Sequence, residues 1–71
     1  MASGTGETVE EAVGQWASRR FAERHSVESI DPGGPTEGDH EVSVKLVRTG
    51  ETERFTLVVG ESADNWVVRD A

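Results

Sequence analysis

The chain has 71 residues, 14 Asp and Glu against 7 Lys and Arg, a formal net charge of -7, and no cysteine. That length leaves room for one small domain, and the absence of cysteine excludes a disulfide framework, a thiolate zinc site and a cysteine nucleophile. No apolar run approaches the roughly 20 residues of a membrane span, and so acidic a chain repels bare phosphate backbones at long range.

Residues 1–7 are small and polar and read as a flexible tail preceding a single domain over 8–71. Met1–Gly6 lacks the positive and apolar regions of a signal peptide, so a cytoplasmic location is expected. Thr8-Val9-Glu10-Glu11 matches a capping box, in which the threonine hydroxyl accepts from the third amide of a helix and Glu11 reaches back. Glu7, Glu10 and Glu11 also suit the positive end of the helix dipole. The apolar spacing predicts a helix from Val9 to about Arg24 or His25, with Val9, Ala12, Val13, Trp16 and Ala17 on one face and Phe21 at its margin. Gly14 is a weak point inside it. Arg19 stands four residues before Glu23, the spacing of a solvated ion pair.

Ser26–Ile30 reads as a short strand or an extended connector. The stretch 31–40 is a loop, because Pro32, Gly33, Gly34 and Pro35 preclude both helix and central strand. Period-two alternation then predicts strands over 41–48, 53–59 and 65–69, with turns at 49–52 and 60–64. The expected fold is α+β: one N-terminal amphipathic helix packed on a three- to four-stranded antiparallel meander, in two layers. Val42, Val44, Leu46, Phe55, Leu57, Val59, Trp66 and Val68 share a parity and are expected to face the helix.

The opposite parity places Ser43, Lys45, Val47, Arg54, Thr56, Val58, Val67 and Arg69 on the wet face. In a protein of net charge -7 that set contains no acid, and it reads as an interaction surface, apolar in the middle and basic at the rim. A nucleic-acid platform of the sheet type calls for stacking aromatics there, and none is expected. Arg20 and Arg24, one helical turn apart in the apolar stripe, are a candidate anion clamp. The stretch Ser26–Glu41 holds Glu28, Asp31, Glu37, Asp39 and Glu41 and no Lys or Arg. Its spacing does not fit a calcium loop, and the two histidines, His25 and His40, do not make a metal site by themselves. No hydrolase elbow and no phosphate-cradling glycine signature is present, so neither a cofactor nor a catalytic group is expected.

With six Arg, a single Lys45 and the carboxylate excess, the composition resembles that of small acidic proteins of salt-loving archaea. That resemblance implies a high-salt environment and names no family. The expected function is a small non-catalytic interaction or adaptor domain, binding a protein partner or a second copy through the outer sheet face. The alternative is a nucleic-acid-associated regulator using the same basic residues with Arg20 and Arg24.

Overall fold

A computed structural model describes residues 2–71. The elements in chain order are β1 (Ser3–Gly6), α1 (Val9–Arg20), β2 (His25–Asp31), β3 (Gly38–Leu46), β4 (Thr52–Ser62) and β5 (Asn65–Asp70). All five strands form one antiparallel sheet in the order β1-β5-β4-β3-β2, and α1 packs on one face of it. The α+β architecture is therefore the expected one, with five strands where three or four were expected.

The helix begins as its sequence dictates. Thr8 is extended and its hydroxyl accepts from Glu11 N at 3.1 Å. Glu11 Oε1 in turn accepts from Glu7 N at 3.2 Å, one residue earlier than in the usual reciprocal cap. The predicted stripe of Val9, Ala12, Val13, Trp16 and Ala17 is buried. The end of the helix differs. It stops at Arg20 because Phe21 turns to extended geometry and drops into an aromatic cluster, its ring 6.2 Å from Trp16 and 5.6 Å from Phe55. Burying a phenylalanine among aromatics contributes more than one further turn of solvated helix. Glu23 and Arg24 thus lie outside the helix. The four-residue spacing from Arg19 to Glu23 has no helical meaning, and Arg19 donates instead to Ser3 O at 3.2 Å.

The largest departure is at the start of the chain. Ser3–Gly6, expected to be part of a flexible tail, is an edge strand paired with β5. Gly4 lies opposite Val68, facing inward beneath the helix. A Cβ there would press on Ala12 O and stand 2.5 Å from Trp16 N. At Gly6 it would stand 2.6 Å from Glu11 Cβ. The two glycines let the helix backbone settle directly onto β1, which no residue with a side chain permits.

The core unites Val9, Val13, Trp16 and Phe21 with Val42, Val44, Leu46, Leu57, Val59 and Val68, and the inward parity read from the sequence holds throughout. Trp16 is fully buried and its Nε1 donates to Asp70 Oδ1 at 2.9 Å, tying the helix to the last strand. His40 is the one buried polar side chain among the described residues. It belongs to β3, opposite Leu57, rather than to the loop. Its Nδ1 lies 3.3 Å from Gly38 O, and Nε2 has no partner. No helix among the described residues is long and apolar enough to cross a membrane.

Candidate functional site

The helix covers one face of the sheet, and the other is uncovered. The ladder registers place Asp31, Asp39, Glu41, Ser43 and Lys45, then Arg54, Thr56 and Val58, then Val67 and Arg69 on that outer face. Lys45, Arg54, Thr56 and Arg69 are exposed, while Val58 and Val67 are half-buried. Val67 sits opposite Gly60 on β4 and Thr5 on β1, and Val58 is its diagonal neighbour. The two valines and the side-chain gap at Gly60 make a shallow apolar centre near the middle of the sheet.

Two expectations about this face are corrected. Val47 is not on it. The hairpin closes from Leu46 to Glu51, with Gly50 at φ 76°, so Val47 falls in the turn, 54% exposed. A left-handed residue at Gly50 closes this loop, and that shortens the strand by two residues. Nor is the face free of acid. The strand begins at Gly38 and not at Glu41, and pairing with β4 carries Asp39 and Glu41 outward. Glu41 Oε2 accepts from Arg54 Nη2 at 3.1 Å across the ladder, an exposed pair of the kind worth about 0–1 kcal/mol. Asp31, opposite Glu41 on β2, adds a third carboxylate. The face is therefore balanced in charge, with Asp31, Asp39 and Glu41 against Lys45, Arg54 and Arg69, and the excess of the molecule lies elsewhere. The sequence carried the signal: parity counted two residues back from Val42 sends His40 inward and Asp39 and Glu41 outward.

The Arg20–Arg24 clamp is not assembled. Arg24 lies past the helix, and its carbonyl accepts from Val47 N at 3.1 Å. The Arg20 guanidinium sits 5.0 Å from the Phe21 ring centre and 5.4 Å from that of Phe55, capping the aromatic cluster. An open polar notch of about 570 Å³ lies beside it, lined by Ser3, Arg19, Arg20 and Asp70. Each of those side chains or backbone groups is already engaged: Arg19 with Ser3 O, Asp70 with Trp16, Arg20 with the two phenylalanines. No group of three or more metal-ligating side chains converges among the described residues.

A second open groove, about 410 Å³, runs between α1 and β2. It was not singled out from the sequence, because Val27 and Ile30 are only two apolar residues in a polar stretch. Protein-family models, curated proteins and solved structures were all compared with this chain, and none matches it.

Proposed function

We propose that this chain is a small non-catalytic protein-interaction domain that receives a second copy of itself on the uncovered sheet face. The observation that carries the reading is the diagonal contact position of Val58 and Val67, half-buried beside Gly60, on a face whose strands carry three carboxylates and three cations. Two molecules of charge -7 repel each other over most of their surfaces. This balanced face adds little to that repulsion, and opposite charges are available for cross-pairing in a two-fold contact. The nucleic-acid alternative loses support, since Arg54 is engaged by Glu41 and the face carries no aromatic ring on which a base could stack. The surplus of carboxylates suits a salt-rich medium, in which repulsion is screened and an apolar contact tightens.

Val58→Glu places a carboxylate at the apolar centre without touching the core. Sedimentation equilibrium at low and high salt should show self-association that holds or tightens with salt in the wild type. The variant should associate at least about tenfold more weakly, with an unchanged circular dichroism spectrum. A wild type that stays monomeric, or a variant that associates equally well, overturns the proposal.

A further inference from the structure

The two edges of the sheet are finished differently. At the β1 edge, two of the backbone groups that point away from β5 are held by helix side chains: Thr5 N donates to Gln15 Oε1 at 2.8 Å, and Ser3 O accepts from Arg19. At the β2 edge, among the described residues, no hydrogen bond beyond the ladder to β3 holds the backbone of His25–Asp31. Alternate N–H and C=O groups along such a strand point into solvent and are a template for one more strand.

Beside that free backbone lies the groove between β2 and α1. Val27 and Ile30 face inward, opposite the buried Val44 and Val42, yet both remain half-exposed. The reason is on the helix. Gly14 stands over them, and a Cβ built on it meets nothing within 4 Å. An added strand could therefore lodge alternate apolar side chains against Val27 and Ile30 while its backbone pairs with β2. The bulge between Val27 and Ser29 turns Glu28 to the groove wall, facing Glu10 from the helix. The groove lining thus carries two carboxylates, Glu10 and Glu28, and no Lys or Arg among the described residues. A second copy brought edge to edge would set these acids against their own images. The complementary occupant is cationic.

We propose that the β2 edge and its groove bind an extended segment of a partner protein, in which lysine or arginine alternates with small apolar side chains, as a sixth strand. This surface is separate from the outer face, and neither proposal depends on the other.

The test uses the full chain, isotopically labelled, and a short acetylated peptide of alternating lysine and valine. The controls are the same peptide with alternate amides N-methylated and a glutamate–valine counterpart. The expected result is saturable binding of the lysine peptide with amide shifts centred on His25–Asp31 and Gly14, loss of binding on methylation, and none for the glutamate peptide. Glu28→Lys and, independently, Glu10→Lys should each weaken binding by about tenfold. Glu10 is an exposed helix residue outside the bulge, so its variant separates charge from any disturbance of the strand. Val58→Glu should leave peptide affinity unchanged. Equal binding of the methylated peptide overturns the proposal, because it shows attraction without strand pairing. Shifts centred on the outer face, no binding at millimolar peptide, or concentration-dependent protection of the β2 amides by a second copy overturn it as well.

Discussion

The β1 and β2 edges bracket the same sheet, and their difference follows from how the chain reaches them. β1 runs straight into the helix through the two-residue link Glu7–Thr8, and the inward positions at Gly4 and Gly6 have no side chains. The helix can then lie on the strand closely enough for Gln15 and Arg19 to reach its free backbone groups. At β2 the helix is held off by nothing and drawn in by little: Gly14 presents no side chain toward Val27 and Ile30. Glycine thus acts in opposite ways in the two places. In the strand it allows contact, and in the helix it leaves a gap. A small sheet protein must block or use its edges, and this one blocks the edge its helix can reach.

The contrast is open to direct attack. The largest effect is expected from Gly4→Ala, whose methyl group has no room against Ala12 O and Trp16 N. Urea unfolding should show a loss of about 3 kcal/mol or more, at the upper end of overpacking effects, because the obstacle is helix backbone and cannot rotate away. A loss under 1 kcal/mol would show that β1 is not pinned beneath the helix. Next comes Gln15→Leu, which strips the partner from the Thr5 amide. It should cost about 1 kcal/mol. It should also raise hydrogen exchange at Thr5 to the level of the outward-pointing β2 amides, making the two edges alike. Unchanged exchange would mean that Gln15 does not seal the edge. The smallest effect, of opposite sign, is expected at Gly14→Ala. A methyl group enters open space in mid-helix, and stability should rise by up to about 1 kcal/mol in the same urea titration. Destabilisation there would mean that the gap over β2 is already filled.

Much of this molecule was legible in its residues. The capping box set the start of the helix, and the stripe from Val9 to Ala17 set its buried face. Period-two alternation set β3, β4 and β5 and their inward sides. What escaped was decided by partners distant in sequence. Ser-Gly-Thr-Gly has no alternation to read, and becomes a strand because β5 offers a ladder and α1 needs a close bed. The helix was expected to continue past Arg20, and stops there because Phe21 finds Trp16 and Phe55. The outer face read as free of acid although Glu41, inside the expected strand, shares the parity of Ser43 and Lys45; Asp39 escaped because the strand begins three residues earlier than expected.

The sequence by itself determined the α+β class, the single helix and the division of the sheet into an inner and an outer side, because those follow from local propensity and from periodicities of 3.6 and two residues. Only the tertiary structure decided the fifth strand, the Glu41–Arg54 ion pair and the unequal finish of the two edges. Each of these depends on which backbone lies within hydrogen-bonding reach of which side chain, and for residues like Thr5 and Gln15, or Glu41 and Arg54, that distance exists only once the chain has closed on itself.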